Sequence, residues 1–221
     1  MYRKYPLVTG ETYHILTKSI AGFKIFDSKG DFSRMLETIR YYQIINQPIK
    51  FSRALELKKK GQNKSGKGFD DLSEKKEKLL EIIAYSIMPT HLHLVLRQLK
   101  EKGISIFMNK ILNSYTHYFN LLNKRKGPLW EGPFKNILVK TDEQLFHLTR
   151  YIHLNPTTAC LVNKPEDWSF SSYREYLGIS KDKVCKYDDF FKINPDSYKK
   201  FVEDRIFYQR DLAKIKNLML D

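Results

Sequence analysis

The chain has 221 residues, 42% of them hydrophobic and 14% aromatic, which is enough for one domain with additions. Lys and Arg number 39 against 25 Asp and Glu, and the formal charge of +14 suits a polyanionic partner. No apolar run approaches the ~20 residues of a membrane span, the opening MYRKYPLVTGETYH lacks a signal-peptide core, and Cys160 and Cys185 make neither a zinc spacing nor a disulfide framework. The expectation is a cytoplasmic protein with no membrane partner. The charge is uneven. Residues 181–221 carry ten basic and eight acidic groups, whereas seven basic residues and one acid lie between Lys50 and Lys67.

In chain order, TYHILTKSI (12–20) alternates as a strand does, and DFSRMLETIRYYQIIN (31–46) follows helical spacing. Asp31 is the candidate cap of that helix, with Phe32, Met35, Leu36, Ile39 and Tyr42 or Gln43 on its apolar face. The polar stretch KKKGQNKSGKGFDDLSEKKEK (58–78) reads as a mobile basic loop, either simply solvated or touching phosphates. LLEIIAYSIMP (79–89) and HLHLVLRQL (91–99) are apolar strands broken at Pro89-Thr90, as in a hairpin. GISIFMNKILNSYTHYFNLLNKRKG (103–127) predicts an amphipathic helix with Ile106, Ile111, Tyr115, Phe119 and Leu122 inward, ending at Gly127-Pro128. FKNILVK (134–140) is a strand, and DEQLFHLTRYIHLNP (142–156) a helix with acids in its first turn and a stop at Asn155-Pro156. This order predicts an α+β fold: the βαββαβ plan of a ferredoxin-like sandwich, an antiparallel sheet with helices on one face, followed by the helix 142–156. PEDWSFSSYREYLG (165–178) and residues 188–220 read as helices of a C-terminal extension.

His91 and His93 flank one leucine on a strand, so both side chains point to the same face. Neutral imidazole is a common metal ligand, and two such ligands would need a third donor from elsewhere in the fold. In RYIHLNP (150–156), Tyr151 and Asn155 are four residues apart on one helix face. A phenol with an ordinary pKa near 10 can attack a phosphate when a divalent ion draws charge from the attacked centre. The product is a covalent tyrosyl phosphate that keeps the bond available for religation. Taken singly, these residues also have ordinary readings as surface or capping histidines, an amphipathic tyrosine and a helix-end asparagine. His153 lies two positions from Tyr151 and points elsewhere on the helix. His14, His117 and His147 have no partners in the sequence and read as structural. Arg97, Lys124, Arg125, Lys126, Lys135 and Arg150 are candidate phosphate contacts. Trp130 and Phe134 either stack on a base or belong to the core.

AYSIMPTHLHLVLR, GPLWEGPFKNILV, RYIHLNPTTACLV and WSFSSYREYLG, in this order, resemble the REP-associated tyrosine transposases of the single-tyrosine HUH superfamily. The opening GETYHILTKSI…KIFDSKGDFSRML resembles that family's first strand and helix, so the similarity spans roughly residues 8–178. The resemblance implies that His91 and His93 are metal ligands with Leu92 between them, that Tyr151 is the nucleophile, and that Asn155 completes a Mg²⁺ or Mn²⁺ site. It implies a transposase or endonuclease that cuts and rejoins single-stranded DNA at hairpin-forming, palindromic sites through a 5′-phosphotyrosine and a free 3′-OH. It implies a bacterial cytoplasmic protein, nucleoid-associated when bound to DNA, with monomer and homodimer both open. Residues 1–160 would form the catalytic domain, with a basic insertion at about 50–78, and residues 161–221 the helical extension. The sequence departs from the family pattern at Thr90, where members have Asn, and after about residue 188, where no motif corresponds. One alternative is a catalytically inactive ferredoxin-like nucleic-acid-binding module, although the aromatic RNP signature of RNA-binding sheets is absent. A two-histidine phosphodiesterase would need a second His-x-Ser/Thr element, to which only His147-Leu148-Thr149 comes near.

Overall fold

Alternation along four strands decides which side of the sheet each residue faces. The computed structural model describes residues 6–60, 77–180 and 183–218. Strands β1 (Thr12–Lys18), β2 (Leu80–Met88), β3 (His91–Gln98) and β4 (Lys135–Val139) form an antiparallel sheet in the order β2-β3-β1-β4. Tyr13 and Ile15 on β1, and Leu92, Leu94 and Leu96 on β3, face one side and are buried in the main core. Helices α1 (Lys29–Tyr42), α2 (Phe51–Lys59) and α3 (Gly103–Leu122) close that core through residues such as Met35, Ile39, Phe51, Phe107 and Ile111. The opposite side is covered by α4 (Asp142–Thr158), which sets Leu145 and Ile152 against Ile83, Ala84 and Val95. This is the ferredoxin-like α+β plan read from the sequence, with the fourth helix on the face that the other three leave open.

Several boundaries differ from the sequence reading. Helix α1 begins at Lys29 with Ser28 as its N-cap, and Asp31 is the reciprocal partner in a capping box: Ser28 Oγ accepts from Asp31 N, and Asp31 Oδ2 accepts from Ser28 N. The buried stripe of α3 is Ile104, Phe107, Met108, Ile111 and Tyr115. Ile106 and Leu122, expected inward, are exposed, because Ile106 is five residues from Ile111 and therefore off its face. Helix α4 runs past Pro156 to Thr158. Proline there removes one hydrogen bond to the Ile152 carbonyl, while Ala159 N still donates to Asn155 O and Thr157 Oγ1 to Leu154 O. Most of the basic stretch, residues 61–76, lies outside the described residues.

The stretch 165–178, expected as a helix, is mostly not one. It holds a short 3₁₀ turn at Pro165–Asp167 and the four-residue α5 (Tyr173–Tyr176). Between them the backbone pairs with the outer edge of β2: Ile87 N donates to Phe170 O and Ser172 N to Tyr85 O. Farther along, Lys186 N donates to Ile82 O. An edge strand leaves a row of backbone groups unpaired, and here the C-terminal part of the chain takes them. Helices α6 (Pro195–Glu203) and α7 (Ile206–Leu218) then pack against α4, and the Arg210 guanidinium donates to the carbonyls of Thr157 and Val162. No described helix is long and apolar enough to cross a membrane.

Gly103, the first residue of α3, is buried against the backbone of Leu79, and a Cβ there would collide with the Leu79 carbonyl. That carbonyl also accepts from Leu99 N and Lys100 N, so it has little freedom to retreat. Gly103→Ala should therefore cost about 1–3 kcal/mol, read as a lower urea midpoint with an unchanged slope.

Candidate metal and nucleophile site

On β3 the residues alternate with the leucines of the main core, so His91, His93, Val95 and Arg97 all point toward the α4 side. The β2–β3 hairpin turns in two residues, Pro89 and Thr90. Its tip is tied down by the backbone of the segment after β1. Ser19 N donates to Thr90 O at 2.8 Å, and Ile25 N and Phe26 N donate to Pro89 O at 2.9 and 3.1 Å. His91, the first residue of β3, is thus held at a fixed corner of the sheet.

Helix α4 brings the tyrosine. Thr141 caps it, with Oγ1 accepting from Gln144 N, and Asp142 and Glu143 complement its dipole. The face carrying Leu145 and Ile152 packs on the sheet. Tyr151, next to Ile152, remains 42% exposed, with its ring edge-on to His93 at 5.8 Å between centroids and to His14 at 6.4 Å. The rings of His91 and His93 are 5.0 Å apart. The two histidines and the tyrosine singled out from the sequence therefore occupy one corner, where the ends of β1 and β3 meet α4.

Asn155 is one turn farther along α4 and is buried, and its Nδ2 has no hydrogen-bond partner. An unpaired buried amide is costly, and rotation of the carboxamide would present its oxygen instead. Both histidines have Nδ1 engaged. His91 Nδ1 lies 2.9 Å from Thr90 Oγ1, and His93 Nδ1 lies 2.9 Å from His14 Nε2. Each Nε2 is the ring nitrogen left for a ligand. Burial drives the imidazoles toward the neutral form, His14 and His91 to about 4 and His93 to about 2. Repulsion from the neighbouring imidazoles and from Lys18, paired with His91 across the ladder, lowers His93 further. Burial also pushes the Tyr151 phenol above its ordinary value.

Two neutral imidazoles beside a part-exposed tyrosine would fit a divalent cation that retains water or phosphate oxygens in its shell. Among the described residues no three His, Cys, Asp or Glu side chains form a metal-holding group.

No protein-family model matches the sequence, and no curated protein does. Among solved structures, the chain is similar to a REP-associated tyrosine transposase bound to a REP hairpin. The alignment covers 84% of this chain and 96% of that one, with a TM-score of 0.55 and 14% sequence identity. The two chains share a fold.

The other residues proposed for DNA contact fall into two groups. Lys124, Lys126 and Lys135 are exposed. Arg97, Arg125 and Arg150 already have partners. Arg97 Nε donates to Gly10 O, Arg125 donates to Asn120 Oδ1 and Pro128 O, and Arg150 stacks on Phe201 at 4.1 Å. Trp130 packs near Phe26 and Tyr115 and donates from Nε1 to Thr116 Oγ1, while half-buried Phe134 packs against the main core. The sequence reading set His14 aside and gave no role to Lys18 or to the Thr90 hydroxyl. Strand alternation puts His14 and Lys18 on one face of β1, but only the pairing of β1 with β3 reveals which histidines they meet.

His153 is fully buried and serves the fold. Its Nδ1 is 2.7 Å from Tyr198 Oη and its Nε2 is 2.7 Å from Ser172 Oγ, so it joins α4 to α6 and to the segment that caps β2. Burial lowers its pKa from 6.5 to about 3. A depressed imidazole contributes its full stability above the unfolded value of 6.5, and loses it as pH falls toward 3. His14, His91 and His93 shift in the same direction. The urea midpoint should fall steadily from pH 7 to pH 4.5. His153→Gln should be less stable at pH 7 and show a shallower fall, by about 1.4 kcal/mol per pH unit at most.

Proposed function

We propose that the chain is a metal-dependent enzyme that nicks and rejoins single-stranded DNA at hairpin-forming sites, with Tyr151 as nucleophile. The observation that carries this reading is the Tyr151 ring 5.8 Å from His93, beside an imidazole pair whose Nε2 atoms are left for a ligand. The transposase of the same fold, bound to a REP hairpin, supports a DNA hairpin as partner. The net charge of +14 supports it too, since phosphate contacts supply most of the affinity for nucleic acid.

In this reading His91 and His93, through Nε2, and Asn155, through its carboxamide oxygen, hold Mg²⁺ or Mn²⁺. When bound, the ion would polarise the scissile phosphate and offset charge gathering on its oxygens. Tyr151 Oη attacks phosphorus while the bond to the 3′ oxygen breaks. The phenolic proton passes to water, and the departing 3′ oxygen takes one up. The DNA is left with a free 3′-OH, and its 5′ phosphate is esterified to Tyr151. Rejoining is the reverse: a 3′-OH attacks the phosphotyrosine, and the phenolate leaves and is protonated. The raised pKa of Tyr151 keeps the hydroxyl protonated at rest, so the nucleophile is silent until a phosphate is in place. Lys18, exposed and paired with His91, adds positive charge where the phosphate would sit. Lys124, Lys126 and Lys135 are the strand contacts this reading favours, because their ammonium groups are open to solvent. Residues 1–160 would carry the chemistry and residues 161–221 would brace it.

Purified protein mixed with Mn²⁺ and a single strand bearing a hairpin should form an adduct that survives denaturant and is visible as a gel shift. Tyr151→Phe should reduce the adduct below detection, and duplex DNA should be a poor substrate. Cleavage that persists in the Phe variant sinks the assignment of the nucleophile. DNA binding with no adduct from the wild type favours a binding module without chemistry. Lys124→Ala with Lys126→Ala should weaken hairpin binding at low salt and flatten its log–log salt dependence by about 0.7 per lost contact.

A further inference from the structure

We propose that His14 is a positioning residue: it accepts a hydrogen bond from His93 Nδ1–H and so holds His93 in the tautomer whose Nε2 lone pair is free for a cation. The inference rests on the reading that His91 and His93 hold a divalent ion, and it assigns a task to a third histidine which that reading leaves unused.

The geometry is specific. His14 Nε2 and His93 Nδ1 are 2.9 Å apart, with the rings nearly parallel at 15°. Only one of the two facing nitrogens can carry the shared proton. If His14 donated, His93 would carry its own proton on Nε2 and present an N–H to the site. If His93 donates, its Nε2 is bare and can ligate. A proton on His14 Nδ1 leaves its Nε2 as the acceptor and is the arrangement that frees His93. The neighbouring ligand is arranged the same way: Thr90 Oγ1, 2.9 Å from His91 Nδ1, can accept that proton and leave His91 Nε2 bare. The two partners differ in origin. Thr90 is adjacent in sequence and belongs to the hairpin, whereas His14 comes from β1 and reaches His93 only through the β1–β3 pairing. Outer partners of this kind orient a metal-binding imidazole and raise its basicity.

His14 is positioned for this by its strand. Its chain neighbours Tyr13 and Ile15 are locked in the main core on the far side of the sheet, which fixes the backbone and aims the His14 side chain at the α4 face. Directly across the ladder from His14 is Val95, and His93 is diagonal to it, within reach of a long side chain on the same face.

Nitrogen NMR of ¹⁵N-histidine-labelled wild-type protein without metal tests the tautomer directly. We expect both rings protonated on Nδ1: His93 with Nε2 bare for a ligand, and His14 with Nε2 bare as the acceptor. A proton on His93 Nε2 overturns the proposal. Mn²⁺ affinity, followed by electron paramagnetic resonance, gives the second arm. His14→Leu should weaken it by about 10- to 100-fold, and His14→Gln, which retains an acceptor oxygen, should recover most of the loss. Equal affinity in the Leu variant overturns the proposal, as does pulsed resonance showing three imidazoles on Mn²⁺ rather than two. The wild-type tautomer is measured without any substitution, so a Leu variant that fails to fold leaves the test intact. Wild type that shows the expected tautomer yet binds no Mn²⁺ supports the role of His14 and counts against the metal reading alone.

Discussion

Strand β3 works on both faces, and the site exists because it does. Leu92, Leu94 and Leu96 anchor it in the main core, while His91, His93 and Val95 look the other way. Each buried leucine contributes on the order of 2 kcal/mol of hydrophobic stabilisation, and their burial fixes the direction of every intervening side chain. A register slip of one residue would put the imidazoles in the core and the leucines under α4. The placement of two polar rings at one corner is therefore held by apolar contacts on the far side of the sheet.

The second constraint is the edge of β2. Backbone groups there pair with residues 170, 172 and 186 of the C-terminal part of the chain, and the same part sends Tyr198 to His153 on α4. His153 in turn bonds Ser172, whose hydroxyl also accepts from Tyr85 N on β2. One hydrogen-bonded chain thus links the sheet edge, the capping segment, α4 and α6. Tyr151, two residues before His153, takes its place over the sheet from a helix gripped on both sides. The C-terminal part of the chain braces the helix that carries Tyr151.

Burial sets the charge state of that corner. Three imidazoles share it with Lys18: a proton on any of them would face desolvation, and one on His91 or His93 like charge as well. Neutral rings present lone pairs, which is the form a cation requires. In the proposed tautomers, the hydrogen bonds that Thr90 and His14 accept decide which nitrogen presents the lone pair. In the proposed reading, electrostatics and hydrogen bonding favour the same arrangement.

Much of this was legible in the residues. Period-two alternation in HLHLVLRQ specified a strand with paired histidines on one face, and the four-residue spacing of Tyr151 and Asn155 specified a shared helix face. The order of elements was enough for the βαββαβ plan. Those are local or near-local properties, set by side-chain direction along regular backbone. Other features depended on long-range pairing. The capture of residues 170–172 by β2 overrode helical propensity, because unpaired edge groups of a buried strand outweigh it. The packing of part-buried Trp130 against the core, and the engagement of Arg97, Arg125 and Arg150 with their own chain, are packing outcomes that composition does not encode. His14 is the sharpest case. Seventy-nine residues separate it from His93, no spacing rule connects them, and only the antiparallel register of β1 on β3 brings the rings together. Sequence determined which side chains could do chemistry; tertiary structure decided which of them meet, because strand pairing joins residues that are distant along the chain.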